Sequence, residues 1–222
     1  MEKTRGKIKN RLFIIGGALL CFAFIAYLVT SRDVLGFDTI IREWFYGLRG
    51  PVQNALLIFI TYLGNWQSVV VVCLMLLGTN GTRIKYGVPT AITAVCSTVT
   101  YKLVKMAFAR PRPDLAVRII EQGGFSFPSG HSMNSLVVYG LLIYLVGRYC
   151  KDEKKAKVLT TFLTVLIALI GLSRIYVGVH YPTDVLGGWS LGLAVLMIAI
   201  IIIEKIKGES NTPDRSENST EK

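Results

Sequence analysis

Apolar residues in this chain fall in long runs, with little of the two-residue alternation of a half-buried strand. The runs cover residues 12–30, 52–79, 86–108, 131–149, 157–173 and 183–204. Each approaches or exceeds the roughly 20 residues that carry an α-helix across the hydrocarbon of a bilayer. The pattern therefore predicts an all-α protein, a bundle of six transmembrane helices. The second run is the least regular, interrupted at Gly64-Asn65-Trp66, and its alternative is a short surface helix at 52–63 with a span beginning near 67. Between the first two runs, 33–49 mixes Ile40, Ile41, Trp44, Phe45 and Leu48 with Arg42, Glu43 and Arg49. That mixture suits an amphipathic helix lying at the membrane surface.

Composition excludes an ordinary soluble domain: 52% of the 222 residues are hydrophobic and only 18% are charged. A net charge of +11 would suggest nucleic acid in a soluble protein. Its distribution points to a membrane and to no nucleic acid partner. With six spans and the N-terminus inside, sixteen of the 25 Lys and Arg residues fall in the N-terminal segment, the 83–85 and 148–157 connections and the C-terminus. The positive-inside rule then places both termini in the cytoplasm of a multi-pass plasma-membrane protein. The first run follows basic residues as a signal peptide would, but no small-x-small cleavage site follows it, and an uncleaved anchor is expected. Residues 1–207 read as one domain, and the polar segment 208–222 as a disordered cytoplasmic tail. Cys21, Cys73, Cys96 and Cys150 lie in or at the ends of apolar runs without ligand spacing, which suits small buried side chains.

The unusual chemistry is confined to two outer connections, 109–130 and 173–182, and the helix ends beside them. One piece is Lys105, six residues, then Arg112-Pro113; another is Pro128-Ser129-Gly130-His131; the third is Ser173-Arg174, His180 and Asp184. Both histidines of the chain fall in these pieces. Ionisable groups at the edge of the hydrocarbon are costly and point to function. Ser129 suits an N-cap, and Gly130 lets backbone N–H groups approach an anion. Lys105, Arg112 and Arg174 add charge suited to phosphate oxygens. With no cluster of Asp, Glu or His to hold a metal, the pocket is expected to need no metal and no other cofactor. A carboxylate at Asp184 can accept the Nδ1 proton of His180 and leave Nε2 as a nucleophile, with His131 across the phosphate as general acid.

Each piece alone has a plainer explanation. A histidine at a helix start is commonly a cap, and an arginine beyond a span commonly anchors at the headgroups, as Arg32 and Arg49 are expected to do. Their occurrence together, in order and at one end of the spans, favours a site. "KMAFARPRP", "PSGH" and "SRIYVGVHYPTD" resemble the three motifs of the type 2 phosphatidic acid phosphatase family, and the likeness runs from about 50 to 205. The resemblance implies a six-span core and metal-independent dephosphorylation of lipid phosphates through a phosphohistidine. It implies His180 as nucleophile, His131 as acid and Asp184 as orienter, with Lys105, Arg112, Ser129, Gly130 and Arg174 binding phosphate. Arg110 lies outside the motif, and its role is open.

The compact connections are similar to bacterial members acting on undecaprenyl diphosphate or phosphatidylglycerophosphate, with the site facing outward. Two other functions are consistent with a phosphate pocket. A vanadium haloperoxidase would hold vanadate there, but those enzymes are soluble. A transporter or flippase would bind phosphorylated lipids without chemistry, but such sites lie near the midplane on broken helices.

Overall fold

The computed structural model of the chain describes residues 2–32 and 34–209. These form eight α-helices: α1 (Glu2–Ser31), α2 (Gly36–Gly47), α3 (Pro51–Tyr62), α4 (Trp66–Gly78), α5 (Val88–Phe108), α6 (Gly130–Tyr149), α7 (Glu153–Tyr176) and α8 (Pro182–Glu209). A π-helical turn at Arg83–Gly87 leads into α5, and a 3₁₀ turn at Leu115–Val117 lies between α5 and α6. Local chemistry sets several boundaries. Pro51 and Pro182 occupy first helical positions, where the missing N–H costs nothing. Asp152 caps α7 by accepting from the Lys155 N–H at 3.1 Å. At its far end α5 stops at Ala109 (φ 46°), with Pro111 and Pro113 just beyond.

The centre is α6, which packs against α5, α7 and α8, while α1 lies along α8 and α3 against α7. In its most apolar stretch 67% of α6 is buried, against 22% for α1, so α6 is the hub and α1 an outer wall. Leu141 and Leu145 of α6 meet Leu196, Ile200 and Ile203 of α8, and Val138 and Tyr139 meet Leu163, Leu166, Ile167 and Ile170 of α7. Large apolar side chains such as Leu20, Phe24, Leu74, Met75 and Val95 face outward, the surface a lipid solvent would cover.

Among the described residues four helices are long and apolar enough to cross a membrane: α1, α6, α7 and α8. The second run is broken as its sequence suggested: α3 and α4 meet at 52° across residues 63–65 and count as a fifth span if taken together. Read as the third span, α5 has 21 residues, about 31 Å at 1.5 Å each, which is enough length. It falls short in apolarity because Thr90, Thr93, Ser97, Thr98, Thr100, Lys102 and Lys105 interrupt it. Of the expected tail, Gly208 and Glu209 close α8, and the remainder lies outside the described residues.

Two features bring the site together. The C-termini of α5 and α7 and the N-termini of α6 and α8 lie at the same end of the bundle, and the 109–129 and 177–181 connections close over them. Gly178 (φ 79°) has no room for a side chain, because a Cβ there would run into the Val117 carbonyl. Beside it, Arg49 stacks on Tyr46 at 3.8 Å and donates to the carbonyls of Val117 at 2.9 Å and Tyr176 at 2.7 Å. Arg49 thus corrects the headgroup-anchor expectation: it fastens the 109–129 connection and the end of α7 to the segment between α2 and α3.

Candidate active site

His180 sits in the connection before α8 and is 1% exposed. One helical turn later Asp184, fully buried in the first turn of α8, accepts the Nδ1 proton of His180 at 3.2 Å. The same carboxylate oxygen accepts from the Tyr181 N–H at 2.8 Å and from the Ser126 hydroxyl. These bonds fix the imidazole as the tautomer whose lone pair is on Nε2. That lone pair faces Arg112, whose Nη1 is 3.1 Å away. Burial, and after it the Arg112 guanidinium, pushes His180 well below the ordinary imidazole range, so the ring is neutral at neutral pH.

Arg112 projects from the proline-stiffened connection after α5. It is held by the carbonyls of Val179 at 2.8 Å and Gly124 at 3.0 Å. Burial outweighs its attraction to Asp184 and brings the guanidinium down to about 10, still charged at neutral pH. Arg174, near the end of α7, is 1% exposed and donates to Thr61 at 2.6 Å and to Gln122 at 2.9 Å, while its Nε has no partner among the described residues. Lys105, from the last turn of α5, is within electrostatic reach of Arg112, Arg174 and Asp184.

Across from His180, α6 begins. Ser129 is its N-cap, with Oγ accepting from the Ser132 N–H at 3.4 Å and the Ser132 hydroxyl at 2.9 Å. The first N–H groups of α6, at Gly130 and His131, have no acceptor one turn back and are open to an anion. His131 donates from Nε2 to Asn65, which sits at the break between α3 and α4. Gly130 differs in part from expectation. A Cβ there would meet the Tyr101 ring at 2.9 Å, so glycine also serves the close packing of α6 on α5.

The eight residues singled out by sequence are thus set around one end of the bundle, and the structure adds others. Arg110 donates to Asp184 at 2.7 Å, Thr183 at 2.9 Å and Asp38 at 3.0 Å. Ser126, Thr61, Gln122 and Asn65 hold the principal side chains, and none was legible. Each is a common polar residue without motif spacing, brought in by folding alone. The only available hint was Arg110 itself, a cation too close to a span to be left unpaired.

Arg110, Arg112 and Arg174, with Lys105 beside them, outnumber the carboxylates of Asp38 and Asp184. The excess of cationic groups suits a phosphate. Both carboxylates are committed to Arg110, and among the described residues no three His, Cys, Asp or Glu side chains gather as a metal site would require.

Known proteins resemble this chain over most of its length. Residues 84–207 match the PAP2 superfamily. Phosphatidylglycerophosphatase B of Bacillus subtilis (strain 168) is 32% identical over 192 residues, 85% of this chain and 94% of its own. Undecaprenyl-diphosphatase of Sulfolobus acidocaldarius is 29% identical over 180 residues, 79% of this chain and 82% of its own. Among solved structures, the first transmembrane PAP2-type phosphatidylglycerolphosphate phosphatase from Bacillus subtilis superposes with a TM-score of 0.78 at 30% identity, covering 87% of this chain and 98% of that one.

Proposed function

The chain belongs to the PAP2 superfamily, and on that premise we propose a lipid phosphatase that removes the terminal phosphate of lipid mono- or diphosphates by way of a phosphohistidine. Its substrates are of the phosphatidylglycerophosphate or undecaprenyl diphosphate class, as the names of its relatives suggest. The observation that carries this reading is His180 held from both sides, with Asp184 on Nδ1 and Arg112 opposite Nε2. Bound phosphate takes the guanidinium for itself and bares the lone pair.

The Nε2 pair then attacks phosphorus, and the bond from phosphorus to the lipid oxygen breaks with its electrons on oxygen. His131, protonated beside the bound phosphate, gives that oxygen its proton and the lipid leaves. A water next gives its proton to His131 while its oxygen attacks phosphorus and the P–N bond breaks. Inorganic phosphate departs and His180 returns to its neutral form. Lys105, Arg112, Arg174 and the α6 N-terminus hold the phosphoryl oxygens throughout. No step calls for a metal, so hydrolysis persists in excess chelator; loss in chelator with recovery in magnesium would reject this scheme.

We place six crossings in the membrane, α3 with α4 as one and α5 as the most polar, with the site on the extracytoplasmic side and residues 1–207 as one domain. The basic connections at the other end support that orientation. In a cysteine-free background, exposed Glu121→Cys reacts with an impermeant thiol reagent in intact cells, and Lys151→Cys only after lysis. The opposite pattern inverts the topology.

The two histidines separate the phosphatase from a transporter. After rapid quench with ³²P-labelled substrate, acid-labile, base-stable label is expected on wild type and on His131→Ala, and not on His180→Ala. His131→Ala keeps far more activity on p-nitrophenyl phosphate, whose leaving group needs no proton, than on a lipid phosphate. Label that survives His180→Ala and vanishes in His131→Ala would reverse the roles, and no label or phosphate release from wild type would leave only binding.

A further inference from the structure

Asp38 lies in the first turn of α2, at the membrane-surface segment, yet it is fully buried. One oxygen accepts the Thr183 N–H at 2.9 Å; the other accepts the Thr183 hydroxyl at 2.8 Å and Arg110 at 3.0 Å. Arg110, 4% exposed, reaches the free oxygen of Asp184 at 2.7 Å, and the other Asp184 oxygen holds His180. The result is a buried chain from α2 to the imidazole: Asp38, Arg110, Asp184, His180.

Its charges alternate, and that has a consequence for the phosphohistidine. When Nε2 bonds to phosphorus, the imidazole ring gains positive charge while keeping its Nδ1 proton. Asp184 alone would offset that charge, but Arg110 bound to Asp184 cancels much of its field. A second carboxylate on Arg110 restores it, because Asp38 and Arg110 neutralise each other. With neutral His180 the chain carries one negative charge; with the phosphorylated ring it is balanced.

We infer that Asp38 and Arg110 are positioning residues for the reaction, acting through Asp184 to orient His180 and to balance the charge it acquires. This inference rests on the phosphohistidine reading above. It assigns to α2, otherwise a surface helix, a part in turnover.

The test is a double-mutant cycle in purified protein, scored by steady-state turnover and by the rate of phosphoenzyme formation. Asp38→Asn keeps the shape and removes the charge. It is expected to lower kcat about 10- to 100-fold with KM within twofold, because Asp38 touches no phosphate. In an Asp184→Asn background the same change should cost less than about threefold, since the group it acts through is gone. Equal losses in both backgrounds would overturn the inference and leave Asp38 as a fastener of α2, as would a single variant with kcat within threefold of wild type. If Asp38→Asn fails to fold, Thr183→Val decides. It removes the hydroxyl between Arg110 and Asp38, and about a 3- to 10-fold loss of kcat, absent in the Asp184→Asn background, is expected. Unchanged kcat in that variant overturns the inference too. Absence of acid-labile label on wild type would reject the phosphohistidine scheme itself, whereas label on wild type beside a wild-type-like Asp38→Asn rejects only the role of Asp38.

Discussion

The two ends of α6 each carry arginines, an acid and hydrogen-bonded polar groups, and they use them differently. At the C-terminal end Arg11 of α1 grips Glu204 of α8, which also accepts from Tyr144 at 2.8 Å, with Arg148 donating to the Tyr144 hydroxyl at 3.3 Å. Arg11 and Glu204 keep 15% and 17% of their side-chain surfaces in solvent, and Glu204 satisfies Arg11 completely enough to need no further anion. At the N-terminal end Arg110, Asp38 and Asp184 are essentially dry, and Lys105, Arg112 and Arg174 lie near them with no ion pair to an acid among the described residues. One end is a latch that is complete in the free protein. The other keeps cations in excess, and on the reading proposed above the phosphate of the substrate completes it.

That contrast can be broken most severely at Asp184. Asp184→Asn keeps the side-chain volume but favours the wrong imidazole tautomer. The comparable change in the serine-protease triad costs about 10⁴ in turnover, and a loss of similar order is expected here. At the latch, Glu204→Gln should leave kcat within twofold. Phosphate release from both variants, measured in the same detergent, checks the pair. Near-normal turnover of Asp184→Asn would reduce that residue to a helix-capping role.

Stability gives the next difference. Arg110→Ala leaves two buried carboxylates facing each other without their shared cation, and breaking a buried pair in this way costs about 3–5 kcal/mol. Arg11→Ala breaks a partly hydrated pair and should cost about 1 kcal/mol or less. Thermal unfolding of the two variants in detergent measures the gap, and equal shifts would contradict the difference in hydration drawn above.

The smallest effect concerns protonation. His180 lies well below the ordinary imidazole range, so its lone pair persists as pH falls through 6.5 and is lost only when the pH reaches its lowered pKa. An imidazole near 6.5 would go from about three-quarters to one-quarter neutral between pH 7 and 6. For His180 less than a twofold change is expected over that interval. Ring ¹⁵N shifts read this directly in a His131→Ala sample, where His180 is the remaining histidine. An ordinary midpoint would mean that water reaches the ring.

How much of this was legible in the sequence depended on distance along the chain. His180 and Asp184 are one helical turn apart, so spacing alone brings them together. Apolar runs located α1, α6, α7 and α8 directly, and Gly64-Asn65 marked the bend between α3 and α4. The apolarity of α5 was overestimated because its Thr and Ser residues face neighbours: Thr90 and Ser97 are fully buried, and Ser97 bonds to Asn134 of α6 at 2.6 Å. Asp38 was invisible for a different reason. In sequence it is the acid at the start of an amphipathic helix, where a carboxylate is ordinary. Only the fold of α2 against Thr183, 145 residues away, turns it into a buried counterion. Arg49 was misread in the same way, since no local pattern separates a headgroup anchor from a brace that reaches Tyr176.

The packing of α1 along α8 bears on how the molecule is made. Phe22 of α1 stacks on Phe127 at 5.5 Å, directly before the Pro128-Ser129-Gly130-His131 turn, and Arg11 clasps Glu204 across 193 positions of chain. α1 is therefore the partner of α8, a helix made much later in the chain, and Asp184 arrives with α8. Until α8 emerges and docks, the face of α1 that it covers has no partner within the fold. On the reading proposed above the site is likewise silent until that docking, since α8 brings the carboxylate that holds His180.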